Sequence, residues 1–391
     1  MTGESFIDVD FCQMPKQGQA VAGDVFASRK IKEEGRIISV LSDGLGSGVK
    51  AGVLANLTAT MALRYTSAFV DVRKSAQTIM DTLPVCEVRK ISYSTFTIVD
   101  LDDDGRTRVI EHGNPELLVF RGDDLLPIMR DEFTLDSWKD RVIRYSEFEV
   151  QLGDRIVCFS DGITQSGLGQ KGLPLGWGQE NVVRFLRQEI RNDAQASSGE
   201  LSRKLVAEAL ENDGSRAKDD ITCGVVYYRC PRRLLVATGP PFDKARDKEL
   251  AEFLAGFPGR KAICGGTTAN IVARNLGRKV HADLGRLDYE IPPAALMEGV
   301  DLVTEGTMTL ARVADMLEQG AGRIWPDNPA RDLMRLMVES DIVRFLVGTR
   351  INEAHQDPNV PVELDLRRNI VRRIAATLEG KYLKECLVQF I

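Results

Sequence analysis

The stretch IISVLSDGLGSG at residues 37–48 decides how the first half of this chain is read, and IVCFSDGITQSG at 156–167 repeats its plan. Each is an apolar run of strand length that stops at Ser-Asp-Gly. Asp43 and Asp161 therefore stand at strand ends, and the glycine after each lets the backbone approach a neighbour closely. Two more corners are built alike: Asp24 in VAGDVF at 21–26, and the pair Asp219 and Asp220 opening DDITCGV at 219–225. Any one of them alone is compatible with a turn cap. If the strands converge, however, several carboxylates meet, and each like-charge pair about 4–5 Å apart repels by roughly 3–4 kcal/mol at an effective dielectric near 20. Such a gathering needs cations, and hard oxygen donors select Mg²⁺ or Mn²⁺. Two close-set ions of this kind polarise phosphoryl oxygens and lower the pKa of water, which makes a hydrolytic centre. The backbone carbonyl of Gly44 is a further candidate donor.

Working outward, strand-like runs occupy 5–13, 20–30, 94–102, 106–113, 116–122 and 141–150. Helical spacing marks 49–69 and 71–83, with Asp71 as an N-cap, and again 178–191 and 198–213. The DDDGR stretch at 102–106 is a hairpin turn of the Asp-Gly kind; the later positions of a calcium loop are absent. A majority of strands with helices in pairs implies an α+β assembly, antiparallel sheets with helices packed outside.

The rhythm changes after YYRCPRRLLVATGPP at 227–241, so the expected division is 1–229 and 232–391. The second part alternates. Strands are expected at 233–239, 260–266, 279–284, 301–306, 342–352 and 382–391, and helices at 247–257, 268–277, 309–319, 330–340 and 366–378. That alternation describes a smaller three-layer α/β domain.

Composition fits a globular protein, 43% apolar and 28% charged. The net charge of -6 argues against a nucleic-acid partner. The start carries no basic and apolar leader, and no apolar run reaches the length of a membrane span, so a cytoplasmic protein is expected. The seven cysteines (Cys12, Cys86, Cys158, Cys223, Cys230, Cys264 and Cys386) form no CxxC pair and read as structural.

The order AGDVF, SDGLG, FSDGI, DDIT is what carries a resemblance. Residues 1–229 resemble the metal-dependent serine/threonine protein phosphatases of PPM type, most of all their SpoIIE-like bacterial branch. EHGNPELLVFRG at 111–122 is similar to that family's Gly-His-Asn-Pro segment, with His and Gly transposed; His112 is expected to be structural. The resemblance implies a PPM phosphatase-like β-sandwich flanked by helices. It implies two or more Mn²⁺ or Mg²⁺ ions held by Asp24, Asp43, the Gly44 carbonyl, Asp161 and one aspartate of the last pair. Asp219 matches by register with Thr222, Asp220 less well. The nucleophile would be a metal-bridging water held by Asp24 and Asp43. The substrate would be phosphoserine or phosphothreonine on a protein in bacterial signalling, for example an anti-sigma-factor antagonist. The helices after SDGLG would serve regulation and homodimer contacts, or plain core packing. The arginine with which eukaryotic members hold phosphate has no counterpart; Lys16 and Arg29 lie near in sequence and read as solvated charges. Two rival readings stand beside the phosphatase: an inactive fold kept as a scaffold or binding module, and a hydrolase of a small phosphorylated metabolite.

Residues 232–391 resemble no family. ICGGTTANIV at 263–272 places a Gly-Gly-Thr-Thr turn between strand and helix, where backbone N–H groups and the helix dipole can meet an anion; ordinary turn duty is the alternative. LVATGPPFDK at 235–244 and LVTEGTMTL at 302–310, with Glu305 before Gly306, are corners of the same kind. In an open α/β sheet such corners collect at one edge. His281 and Asp283 read as strand-end polar residues, and the arginines of LDLRRNIVRRIAATL at 364–378 as a solvated helix face.

Overall fold

A computed structural model describes residues 5–44, 46–68, 72–82, 94–135, 138–283, 291–321, 323–350 and 360–391. Asp71 and Cys86 lie outside these residues. The chain divides into two units, Met1–Cys230 and Pro231–Ile391.

The first unit runs β1 (Phe6–Met14), β2 (Asp24–Ile31), β3 (Arg36–Gly44), α1 (Val49–Ser67), α2 (Val72–Thr82), β4 (Ser94–Asp102), β5 (Arg106–His112), β6 (Leu118–Arg121), β7 (Asp124–Leu125), β8 (Asp131–Leu135), β9 (Trp138–Glu149), β10 (Asp154–Phe159), α3 (Asp161–Thr164), α4 (Gln179–Asn192), α5 (Ser198–Asn212) and β11 (Ile221–Arg229). Two antiparallel sheets form, ordered β1-β11-β10-β6-β7 and β2-β3-β4-β5-β9-β8.

The unbroken apolar runs of β3 and β10 are explained by layers on both faces. Ile37 and Leu41 of β3 meet Ile156 and Cys158 of β10 in the core between the sheets. The alternate residues point outward. Ile38 and Val40 pack under Ala59 and Ala62 of α1 and Ile79 and Met80 of α2. Val157 and Phe159 pack under Leu186 of α4 and Leu201 and Leu205 of α5. The result is a β-sandwich flanked by helices. Gly224 of β11 lets the sheets close up, because a Cβ there would lie 2.0 Å from the Phe26 ring of β2. α5 begins with a capping box in which Ser197 and Glu200 bond each other's backbone N–H.

The second unit contains β12 (Arg233–Thr238), α6 (Asp247–Gly256), β13 (Arg260–Cys264), α7 (Gly266–Leu276), β14 (Val280–Ala282), β15 (Ala295–Met297), β16 (Val300–Thr304), α8 (Thr307–Gln319), α9 (Pro329–Val338), β17 (Ile342–Val347), α10 (Val360–Tyr382) and β18 (Glu385–Phe390). Its sheet is ordered β14-β15-β16-β13-β12-β17-β18. From β16 to β18 all strands are parallel. α6 and α7 cover one face, packing on Leu235, Ala237 and Ile263. α8, α9 and α10 cover the other, on Leu234, Val236 and Ala262. This is the expected three-layer α/β arrangement, with one difference. β14 does not continue the parallel alternation; it pairs antiparallel with β15, which pairs antiparallel with β16. β15 is only three residues long, too short to show a period in the sequence.

Candidate active site

Each sheet of the first unit delivers two acidic corners. β2 begins at Asp24 and β3 ends at Asp43 and Gly44, and the ladder pairs Asp24 directly with Asp43. In the other sheet β10 and β11 are neighbours. Asp161 follows β10 and opens α3, while Asp219 and Asp220 immediately precede β11. Ser160 ties that second pair of ends together. Its N–H donates to the Thr222 carbonyl at 3.0 Å, and its Oγ accepts from the Thr222 N–H at 3.1 Å.

Hydrogen bonds stitch the two pairs of ends across the sandwich. Thr222 Oγ1 donates to Asp24 Oδ2 at 2.7 Å. Gln13 Nε2 donates to the Asp24 carbonyl and to Thr222 Oγ1, each at 3.0 Å. Asp220 is buried, and its two oxygens accept from the N–H groups of Lys16 and Gly23, each at 2.9 Å. Asp220 thus holds loops in place. Asp219, with its side chain 45% exposed, is the member of the pair whose charge acts on Asp43.

The electrostatics are those of a crowded anionic site. Asp43 is pushed up to about 9, first by burial and then by the charges of Asp24, Asp161 and Asp219. Asp24, 3% exposed, is pushed up to about 7 by burial, against the opposing hydrogen bonds from Thr222 and Ser160. Asp161 is raised by burial and by Asp219, and Gln165 Nε2 donates to its Oδ2 at 2.7 Å. Lys16 Nζ stands 3.8 Å from Asp219 at the exposed rim. Arg29, five residues beyond Asp24 on β2, pairs with Ile38 and is carried away from this end of the sheet.

Among the described residues no group of three His, Cys, Asp or Glu side chains forms a ready-made cage for an ion. The donor chemistry nevertheless fits hard divalent cations: buried and half-buried carboxylates that repel one another, with a backbone carbonyl at Gly44 beside them. Close approach of backbone is built in. A Cβ on Gly44 would lie 2.2 Å from the Ala51 carbonyl oxygen, and one on Gly162 2.1 Å from the Asp220 carbonyl oxygen. Gly162→Ala is therefore expected to destabilise the first unit by about 1–3 kcal/mol through overpacking. A denaturant midpoint equal to wild type would show that the α3 corner can move aside.

His112, expected to be structural, ends β5. It is buried, which pushes its pKa down, and Nδ1 lies 3.1 Å from the Val142 carbonyl oxygen. Asn114 of the same segment bonds Thr97 Oγ1 at 3.1 Å and contacts Thr95, the residue paired with Asp43, so it braces the end of β3 from behind. Gln13 and the two hydroxyls of Ser160 and Thr222 have no local signal in the sequence as members of the site. Their roles come from strands that meet only in the fold.

Comparison with known proteins follows the same lines. The family model described as Stage II sporulation protein E (SpoIIE) matches residues 33–229. The Stage II sporulation protein E of Bacillus subtilis (strain 168) is 22% identical over 213 residues, covering 54% of this chain and 24% of that protein. This chain therefore spans about a quarter of that relative's length. Among solved structures, the PP2C phosphatase domain with a fragment of the regulatory domain of SpoIIE from Bacillus subtilis aligns with a TM-score of 0.49 at 19% identity, over 58% of this chain and 65% of that one. RsbX in complex with magnesium aligns with a TM-score of 0.38 at 15% identity, over 56% of this chain and 94% of that one. With half of its length matched by the family model, and Asp43, Asp161 and Asp219 inside the matched region, the chain belongs to the SpoIIE family.

Proposed function

We propose that the first unit is a divalent-cation-dependent phosphatase that removes phosphate from phosphoserine or phosphothreonine on a protein in bacterial signalling. What supports this reading is that Asp24 stands opposite Asp43 on the ladder, and that the charges of Asp24, Asp161 and Asp219, from two sheets, all act on the Asp43 carboxyl. Asp24, Asp43, the Gly44 carbonyl, Asp161 and Asp219 would hold two or more Mn²⁺ or Mg²⁺ ions. When bound, such ions supply Lewis acidity toward phosphoryl oxygens and a nucleophilic water at neutral pH.

The chain's own groups have distinct tasks in this reading. Thr222 and Ser160 fix the Asp24 carboxylate, and Gln165 fixes Asp161. Asp220 holds the Lys16 and Gly23 backbone against β11, which keeps both halves of the site in register. Lys16, at the rim, offers positive charge to the substrate phosphate. The substrate belongs to the class of phosphorylated regulatory proteins, of which an anti-sigma-factor antagonist is one kind.

The test is phosphate release from a phosphoserine peptide by the full chain, with and without Mn²⁺, for wild type and Asp161→Asn. Turnover that requires Mn²⁺ and is lost in the variant is the expected result. A folded wild type that turns over only a small phosphorylated metabolite, or nothing, would overturn it in favour of a metabolite hydrolase or an inactive scaffold.

A further inference from the structure

In the second unit, β13 and β16 are adjacent and parallel, with Cys264 opposite Thr304, so both strands end at the same edge of the sheet. β13 leaves through Gly265 into α7, and β16 through Glu305 and Gly306 into α8. The two helices then cover opposite faces of the sheet. Their first residues are back to back: a Cβ on Gly306 would lie 3.6 Å from the Gly265 Cα. Gly265 sits at φ +129°, a backbone conformation that favours glycine.

The two helix starts are served differently. At α8 the chain supplies its own anion, since Glu305 Oε2 accepts from the Met308 N–H at 3.2 Å. At α7 the N-cap is Gly265, which has no side chain to cap the helix. The first intrahelical bond there is from Ala269 N–H to the Gly265 carbonyl, so the N–H groups of Gly266 and Thr268 precede it. A Cβ on Gly266 would meet nothing within 4 Å, so this first turn borders open space.

A second, independent feature lies at the same place. Thr268 is 1% exposed, and among the described residues its hydroxyl has no hydrogen-bond partner. The hydroxyl faces the corner: it is the nearest atom, at 3.7 Å, to the position a Gly265 Cβ would take. A buried hydroxyl left without a partner is unfavourable, a cost that a ligand oxygen at this position removes. Thr309, at the equivalent place in α8, is also buried with an unpartnered hydroxyl.

We propose that the β13–α7 corner, Gly265 to Thr268, is a binding site for the oxyanion of a small molecule, a phosphate or carboxylate group received by the Gly266 and Thr268 N–H groups and the Thr268 hydroxyl. With no lysine or arginine built into the corner sequence, recognition rests on these neutral donors and the helix dipole. The second unit would thereby report a small anionic metabolite. The inference does not rest on the phosphatase reading.

Inorganic phosphate is also the expected product at the carboxylate site, so the readout must be resolved by residue. The experiment is an amide NMR titration of the full chain, without added divalent cation and at constant ionic strength, using inorganic phosphate in one arm and acetate in the other. Saturable shifts of the Gly266 and Thr268 amides with either anion are expected, and the tighter arm names the class. Thr268→Val, which keeps the side-chain shape and removes the orphan hydroxyl, is expected to weaken binding about tenfold without lowering the melting temperature, and Thr268→Ser to restore it. No shift with either anion, or equal binding by wild type and Thr268→Val, would overturn the proposal. So would a Thr268→Val protein that fails to fold, since the hydroxyl would then serve the structure itself.

Discussion

Asp43→Asn is expected to reduce cation-dependent phosphate release by about a thousandfold, close to 4 kcal/mol of transition-state stabilisation, while making the cation-free protein more stable. The two effects have one cause. Asp43 is half-buried, Asp24, Asp161 and Asp219 act on it, and its carboxyl is raised to about 9. A carboxyl raised on folding binds more protons in the native chain than in the unfolded one between the ordinary carboxylate range and the raised value. Its favourable contribution is therefore complete at low pH and is lost as pH climbs toward 9. Cation-free wild type should accordingly melt at a lower temperature at pH 8 than at pH 6, and a neutral asparagine should flatten that slope. Mn²⁺ should raise the melting temperature of wild type and do little for the variant. Calorimetry in chelator at the two pH values, followed by addition of Mn²⁺, checks the stability half; the phosphopeptide assay checks the other. A variant that keeps the wild-type slope, or that still turns over with Mn²⁺, would remove Asp43 from the centre of the site.

Arg36→Ala should destabilise the first unit by about 3–5 kcal/mol, the largest stability effect expected from one side chain here. Arg36 is among the largest fully buried side chains. Its guanidinium takes the buried Asp100 in a fork, Nε to Oδ1 at 2.5 Å and Nη2 to Oδ2 at 2.8 Å. Nη2 also donates to the Thr66 carbonyl at 2.8 Å, which fastens the last turn of α1 to β3 and β4. Truncation strips Asp100 of that partner, leaves the α1 carbonyl unmet and opens a cavity. Arg108, 3.0 Å from Asp100, softens the loss without replacing the fork. The double variant Arg36→Met with Asp100→Leu should recover a large part of the stability, because it removes both charges together. Urea midpoints of the wild type and the two variants decide the matter. A loss below about 1 kcal/mol for Arg36→Ala would mean that water solvates Asp100 in its place.

Much of this molecule was legible as sequence. Period and punctuation located β3, β10 and β11, the α4 and α5 pair, and the alternation of the second unit, because buried strands and amphipathic helices write their contacts locally. The four acidic corners were legible for the same reason: each is an aspartate beside glycine or a small residue at the end of an apolar run. β15 and the antiparallel turn of the sheet edge were not, since three residues carry no period. The Arg36 fork was not legible either. Nothing beside it in sequence announces a partner 64 residues away.

The sequence by itself supplied the candidates: Asp24, Asp43, Asp161 and the Asp219–Asp220 pair, their glycines, and the Gly-Gly-Thr-Thr turn of the second unit. Only the tertiary structure decided how these groups divide their work. It paired Asp24 with Asp43 across a ladder, turned Asp220 toward the backbone of Lys16 and Gly23, and left Asp219 partly exposed beside Lys16. It also supplied a carboxylate to the start of α8 and a glycine N-cap to the start of α7. The physical reason is range. Burial pattern, turn chemistry and propensity act over a few residues, whereas charge crowding, a shared hydrogen bond or an unpartnered hydroxyl depends on atoms that the fold brings together from distant parts of the chain.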